Sequence, residues 1–338
     1  MASDKPASAE RSASGEDSLI ARYFKPLATD PGAFELGDDA AVLKSHGDEI
    51  VVTTDAIVEG VHFLPNDPPD TIARKALRVN LSDVAAKGAA PAGFVLTLAL
   101  RKADEAWLKS FAQALGWDAI QYGCPLLGGD TVSTPGPLMI SITAFGRVAA
   151  GKMVHRTGAK PGDLVVVTGT IGDAALGLNV LRRGPAAAAL ADDAAARELL
   201  VGRYRMPQPR TALAKAVRDH AHAAMDVSDG LAGDLAKLCA ASGVSAVIEA
   251  ASIPLSGPAS NLFGRGIVGI EAIVSGGDDY EILCAIPPTG LDAFKHAAQT
   301  AEVPAAVIGK IVAGASSPRF LDGQGREIAL PRLSYSHF

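Results

Sequence analysis

The sequence predicts an α/β (α+β) chain with two domains, on three observations. Short β-branched runs, beginning with residues 50–52, alternate with helix-like segments. The chain has 338 residues, which suits about two domains, and 48% of them are hydrophobic. The character of the sequence changes near residue 150, and a turn cluster follows at 158–163. We therefore expect a disordered tail over 1–17, an N-terminal domain over 18–150 and a C-terminal domain over 151–338.

The first half contains a local pattern for each expected element. Leu19, Ile20, Tyr23 and Phe24 recur at helical spacing, which predicts a helix over 18–27. Asp70 and Asp104 are placed to cap helices over about 71–87 and from about 105 onward. Apolar runs predict strands over 40–43, 50–54, 94–100, 125–127 and 138–148, with Gly128, Gly129, Asp130 and Thr131 as a turn.

The second half repeats this alternation. Strands are expected over 164–168, over a short run ending at Asp226, and over 281–286. Helices are expected from Asp173, over the alanine-rich 185–200, over 211–221 and after Gly230.

Composition excludes several classes of protein. The net charge is −6 without a basic stripe, which argues against nucleic acid as a partner. The early tail has no apolar signal region and no apolar run is long enough to cross a membrane, so no membrane partner is expected. The 3 cysteines are odd in number and lack paired spacing, so neither a disulfide framework nor a zinc module is expected. These features predict a cytoplasmic protein.

Two phosphate-binding signatures can be set aside. Residues 146–152 resemble a P-loop, but Met153 stands where Ser or Thr must ligate Mg²⁺. Residues 264–269 match GxGxxG but follow no clear strand.

Hydroxyl and carboxylate side chains instead gather at strand ends and turns. Thr53, Thr54 and Asp55 end an apolar strand, where they form either a solvated strand end or an oxygen-ligand site suited to Mg²⁺. The aspartates of this kind are Asp38, Asp39, Asp55, Asp83, Asp130, Asp226 and Asp229. Each alone also fits a cap, a turn or a surface ion pair. If they converge, cations must neutralise them, and such a cluster is typical of phosphoryl transfer.

Nine motifs together resemble the thiamine-monophosphate kinase family of the aminoimidazole-ribonucleotide-synthetase-like superfamily. They run in order between about Ser18 and Phe338. The motifs are Gly37-Asp38-Asp39-Ala40-Ala41, Thr53-Thr54-Asp55, Glu59-Gly60-Val61-His62-Phe63, Lys75-Ala76-Leu77, Asn80-Leu81-Ser82-Asp83, Gly128-Gly129-Asp130-Thr131, Arg156 with the 158–163 turn, Met225-Asp226-Val227-Ser228-Asp229-Gly230 and Ser275-Gly276-Gly277-Asp278-Asp279-Tyr280-Glu281. The ending Tyr335-Ser336-His337-Phe338 adds to them.

The resemblance implies a two-domain synthetase-like fold, with an N-terminal domain that forms a dimeric β-barrel and a C-terminal α/β domain that covers the nucleotide. It implies a homodimeric kinase that uses ATP and several Mg²⁺ ions to phosphorylate thiamine monophosphate to thiamine diphosphate by direct in-line transfer.

The resemblance also implies roles for particular residues. Mg²⁺ ligands would be Asp39, Thr53, Thr54, Asp55, Asp83, Asp130, Asp226 and Asp229, among which Asp39, Asp55, Asp83 and Asp130 would be catalytic. ATP would contact Gly129, Asp130, Arg156 and Ser228. Thiamine monophosphate would contact His62, Asp278 and Tyr335. The chain departs from the family pattern at Asp278, where Glu is usual, and at about Ser133, where an Arg is often found.

Two other functions stay open. One is another ATP-dependent synthetase of the superfamily, of the selenophosphate or aminoimidazole ribonucleotide type; the first cysteine, Cys124, stands too late for the former. The other is a non-catalytic nucleotide-binding regulator, against which the complete carboxylate set argues.

Overall fold

A computed structural model of the chain describes residues 19–36 and 43–334, which form two β-sheets with helices packed against them. This mixed α/β content is the class that the alternation of patterns predicts. The tail over 1–17 and most of the expected strand at 40–43 lie outside the described residues. In the part of the chain that is described, every helix is too short or too polar to cross a membrane.

The first sheet has four strands in the order β1, β4, β2, β3. Its elements are β1 (Glu49–Val58), β2 (Ala90–Leu100), β3 (Leu126–Ser133) and β4 (Met139–Val148), with α1 (Pro69–Ala86) and α2 (Glu105–Gln121) on one face. Strands β1 and β2 flank β4 antiparallel, and β3 runs parallel to β2. Alternation along β4 buries Ile140, Ile142 and Ala144 and turns the residues between them to the opposite face.

The second sheet has six strands in the order β10, β7, β9, β5, β8, β6. The strands are β5 (Leu164–Thr168), β6 (Ala223–Asp226), β7 (Ser245–Glu249), β8 (Ile282–Ile286), β9 (Ala305–Val312) and β10 (Arg319–Leu321). The helices are α3 (Asp173–Leu181), α4 (Pro185–Ala189), α5 (Ala194–Arg205), α6 (Ala214–His220), α7 (Leu231–Ser242), α8 (Gly257–Gly264), α9 (Ile270–Val274) and α10 (Leu291–Thr300).

Helix α1 contributes to the cores beside both sheets and is buried along most of its length. Leu77 and Leu81 belong to the core of the first sheet. Ala85 and Ala86, one turn later, join a core cluster with Ala224 of the second sheet. The last turn of α1 therefore lies where the two sheets meet, and it carries Asp83 there.

The expected turn at residues 128–131 is wrong, because all four residues lie inside β3. Gly129 pairs with Leu96 of β2, and a side chain at this position would place its Cβ 2.0 Å from the Leu96 carbonyl oxygen. The glycine that suggested a turn instead permits close strand pairing.

Three helix predictions also need correction. Helix α1 begins at Pro69, with Pro68 rather than Asp70 at its N-cap, because proline suits the first helical position. The alanine-rich segment divides into α4 and α5, and Asp193 caps the second by accepting from the backbone N–H of Ala196. The N-terminal helix forms as a π-turn, Ile20–Phe24, followed by a 3-10 turn that contains Pro26.

Other predictions are confirmed. Strand β5 has the expected bounds, and Asp104 caps α2 by accepting from the N–H groups of Ala106 and Trp107. The three cysteines, which the sequence suggests are small buried hydrophobic residues, are all buried.

Candidate functional site

The middle of β1 meets α1 through two hydrogen bonds, and the expected strand end at residues 53–55 is wrong, because the strand stays paired with β4 as far as Val58. The Thr53 hydroxyl donates to Asp83 Oδ2 at 2.6 Å, and the Asp55 backbone N–H donates to Asn80 Oδ1 at 3.0 Å. Asn80 and Asp83 lie three residues apart on α1 and therefore face the same side. This part of β1, which the sequence left open as either a solvated strand end or a site, is thus fixed against a buried helix.

Four aspartates form a group of mutually repelling charges at this junction. Burial, the Asp83 carboxylate and the Asp229 carboxylate raise the pKa of Asp55 to about 6. Burial and the charge of Asp83 raise the pKa of Asp226 well above its ordinary value. Asp55 keeps part of its surface in solvent, which screens some of this repulsion. Hard divalent cations are the natural counter-charge for such carboxylates.

The donors suit Mg²⁺ in chemistry. Asp55, Asp83, Asp226 and Asp229 offer only oxygen ligands, which Mg²⁺ prefers. No three Asp, Glu, His or Cys side chains within 19–36 and 43–334 come close enough to form a complete metal-binding group. Asp39 lies outside the described residues.

The turn after β6 is held by a residue that sequence reasoning missed. Asp234 is fully buried and accepts hydrogen bonds from the backbone N–H groups of Ser228 and Asp229, both at 2.9 Å. Lys237 Nζ reaches Asp234 at 2.8 Å and Asp229 at 2.5 Å. The signal for this arrangement is an acidic residue in the first turn of α7, near the positive end of the helix.

A second loop is hydrogen-bonded to this turn. The backbone N–H of Asp278 donates to Ser228 O, and that of Tyr280 donates to Val227 O, both at 2.8 Å. Asp278 and Tyr280 have φ values of +74° and +51°, a conformation that side chains rarely adopt. A side chain at Gly277 would place its Cβ 2.6 Å from Ser228 O, so this close approach requires glycine. The strained loop brings Asp278 beside the predicted metal and ATP residues.

His62 joins the same region through its backbone. Its carbonyl oxygen accepts from Lys75 Nζ at 2.8 Å and from the Tyr204 hydroxyl at 3.2 Å. Its Nδ1 accepts from the Val58 N–H at 3.0 Å. Lys75 Nζ also contacts Asp278 Oδ2 at 3.1 Å, so one ammonium group links both described residues of the predicted acceptor site. Sequence reasoning assigned no role to Lys75 or Tyr204.

Strand register places two predicted ligands on the other face of the first sheet. Asp130 pairs with Thr97, and both lie on the face turned away from α1, opposite in direction to Asp55. The Thr54 hydroxyl lies on that face as well and accepts from the Thr143 hydroxyl at 3.0 Å. One copy of the sheet therefore does not direct Asp55 and Asp130 to the same side.

The remaining predicted residues lie around this junction or outside the described residues. Arg156 is exposed. Burial lowers the pKa of Lys87, the residue that follows α1, and the charge of Arg156 makes a smaller contribution in the same direction. Lys87 Nζ donates to the Ala224 carbonyl at 2.9 Å. Tyr335 lies outside the described residues.

Comparison with known proteins finds two matching domain families and several similar proteins. The AIR synthase related protein N-terminal domain matches residues 37–148, and the corresponding C-terminal domain matches residues 160–320. The thiamine-monophosphate kinase of Caulobacter vibrioides is 42% identical over 94% of this chain and 89% of that protein.

Two solved structures are also similar. The thiamine-monophosphate kinase from Stenotrophomonas maltophilia K279a has 37% identity and a TM-score of 0.81, covering 92% of this chain and 96% of that one. AaThiL complexed with AMPPCP and TMP has 28% identity and a TM-score of 0.73, covering 89% of this chain and 91% of that one.

Proposed function

Since the chain belongs to the thiamine-monophosphate kinase family, we propose that it transfers the γ-phosphoryl group of ATP to thiamine monophosphate, which yields thiamine diphosphate. The observation that carries this function is the similarity over nearly the whole chain to kinases of that name. The relative solved with AMPPCP, an ATP analogue, and TMP supports the same donor and acceptor. The chain is therefore an enzyme, a phosphotransferase that binds ATP.

The four clustered aspartates support a role for Mg²⁺ in this reaction. Asp55, Asp83, Asp226 and Asp229 would hold the ions, and Thr53 would orient Asp83 through its hydrogen bond. When bound, Mg²⁺ neutralises the charge of the triphosphate, which is most of what phosphoryl transfer requires of a site. Asp39 stays a predicted member of this set.

The residues predicted for the two substrates lie on connected segments, which supports direct in-line transfer. Strand β1 carries Asp55, and the turn that follows it carries His62, which Lys75 links to Asp278. Donor and acceptor would thus be held by one continuous segment and one strained loop, so their reacting atoms can be aligned without a phosphoenzyme. Tyr335 stays a predicted contact of the acceptor.

The activity is tested by ADP release from purified protein with ATP and Mg²⁺. We expect release with thiamine monophosphate and formation of thiamine diphosphate, but no release without an acceptor. Equal release with aminoimidazole precursors would favour the synthetase alternative. No release with any acceptor would favour the non-catalytic regulator.

Stabilisation by Mg²⁺ should depend on pH through Asp55. Its folded pKa of about 6 lies above the ordinary value of 3.8, so its contribution to the stability of the metal-free protein falls as pH rises from about 4 to about 6. Mg²⁺ binds the ionised carboxylate, so we expect it to raise the melting temperature more at about pH 7.5 than at about pH 5. Asp55→Asn should reduce this difference, and an identical pH dependence in that variant would contradict the assignment.

We also propose a homodimer in which the edge strands of the first sheet pair with a second copy. This pairing would enclose the face of the sheet that is turned away from α1, here called the open face. Val52 on β1 and Val132 on β3 are 57% and 43% exposed, and these strands are the two edges of the sheet. Long exposed edges invite pairing with another chain, and pairing with a second copy would complete a barrel. Asp130 lies on the edge strand β3, so this arrangement would bring it to the interface.

The dimer is tested by light scattering and by a charge on the open face. We expect the wild type to have twice the 34.5 kDa mass of one chain, and Val52→Arg to be monomeric because an unpaired charge would be buried. Trp117→Arg is the matched control, since Trp117 is 71% exposed on α2 rather than on the sheet. A monomeric wild type would contradict the proposal.

A further inference from the structure

Lys75 is a buried cation that contacts a carbonyl oxygen, a carboxylate and an aromatic ring. The residue is 1% exposed, and its ammonium group lies 2.8 Å from His62 O, 3.1 Å from Asp278 Oδ2 and 3.9 Å from the centroid of the Tyr204 ring. Burial of an ammonium group is costly unless a carboxylate and further polar partners surround it. The carboxylate, the carbonyl and the aromatic face supply this compensation.

This ammonium group joins three segments that are distant in the sequence. His62 lies in the turn after β1, Tyr204 lies on α5, and Asp278 lies in the loop before β8. The Tyr204 hydroxyl donates to the same His62 carbonyl at 3.2 Å, which reinforces the link. The two predicted acceptor-site residues are therefore held by one charged group.

The exposure of the two side chains separates their roles. The Asp278 side chain is 25% exposed, whereas that of Lys75 is 2% exposed. A bound acceptor can reach the aspartate but not the lysine. Lys75 thus acts on the acceptor only through the residues that it holds.

We propose that Lys75 is a positioning residue for the acceptor site, which fixes the spacing between the His62 turn and the Asp278 loop. The inference rests on the proposed function. The left-handed backbone at Asp278 stores strain, and the ion pair to Lys75 favours that conformation over relaxed alternatives. Loss of the ammonium group should let the loop relax and move the acceptor contacts away from the donor.

The test is steady-state kinetics of Lys75→Met, which preserves much of the side-chain length and removes the charge. We expect the KM for thiamine monophosphate to rise about 10-fold, because displaced contacts bind the acceptor less tightly, with the KM for ATP within about twofold. Arg74→Met is the matched control, because Arg74 precedes Lys75 on α1 and pairs with Asp118 instead. The KM of the Arg74→Met variant for either substrate should not change.

A double substitution distinguishes positioning from a general loss of packing. If Lys75 acts through Asp278, the KM of Lys75→Met/Asp278→Asn should be no higher than that of the more impaired single variant. Effects that multiply would overturn the proposal, as would an equal rise in KM for both substrates.

Tyr204→Leu provides an independent measurement if Lys75→Met does not fold. It keeps the lysine and removes both the ring and the hydroxyl, so the KM for thiamine monophosphate should rise about fivefold or more. An unchanged KM would overturn the role of the lysine cluster. Wild-type protein that releases no ADP with thiamine monophosphate contradicts the proposed function instead, so the two failures are distinguishable.

Discussion

Asp226→Asn is expected to lower turnover by about 10³-fold, the scale seen when a group that stabilises transition-state charge is removed. The same substitution should raise the melting temperature of the metal-free protein. Asp226 is 6% exposed, and burial with the charge of Asp83 raises its pKa well above the ordinary value. A neutral amide of the same shape removes this repulsion, but it is a weaker ligand for Mg²⁺.

The control for this result is Asp173→Asn. Asp173 is 1% exposed and accepts hydrogen bonds from the hydroxyls of Thr170 and Ser256, away from the aspartate group. The turnover of the Asp173→Asn variant should stay near that of the wild type. Thermal unfolding without metal and ADP release with ATP, Mg²⁺ and thiamine monophosphate are the two measurements. An Asp226→Asn enzyme with a normal rate would remove Asp226 from the metal site.

Glu281→Ala is expected to cost about 3–5 kcal/mol of unfolding free energy, the usual cost of removing one partner from a buried ion pair. Glu281 is fully buried and holds Arg203 at 2.5 Å and Arg210 at 2.5 and 2.7 Å. It also accepts from the Thr168 hydroxyl at 2.7 Å. Without the carboxylate, two guanidinium groups lose their counter-charge. The residue after Tyr280 then no longer makes the ion pairs that hold this part of the chain in place.

Urea unfolding measures this loss, with two variants for comparison. Glu281→Gln keeps the size and one of the two acceptor oxygens, so it should cost less than Glu281→Ala. Glu198→Ala on α5 should change the unfolding free energy by less than about 0.5 kcal/mol, because Glu198 is exposed. A Glu281→Ala protein as stable as the wild type would show that the arginines find other partners.

The candidate site was predicted unevenly. Sequence reasoning selected Asp55, Asp83, Asp226 and Asp229 together, and the structure brings their charges within reach of one another. It placed Lys75 in a motif but assigned it no role, because the sequence does not show which residues the ammonium group of a buried helical lysine contacts.

From the sequence alone came the α/β class, most strands and helices, the family and a set of candidate site residues, because periodicity, caps and motifs are local. The tertiary structure alone decided which face each side chain occupies. Strand register directs Asp55 toward α1 and Asp130 away from it, and it places Gly129 in a strand rather than a turn. It also decided the burial of Lys75 between His62 and Asp278, because contacts between distant segments depend on how the two sheets pack around α1.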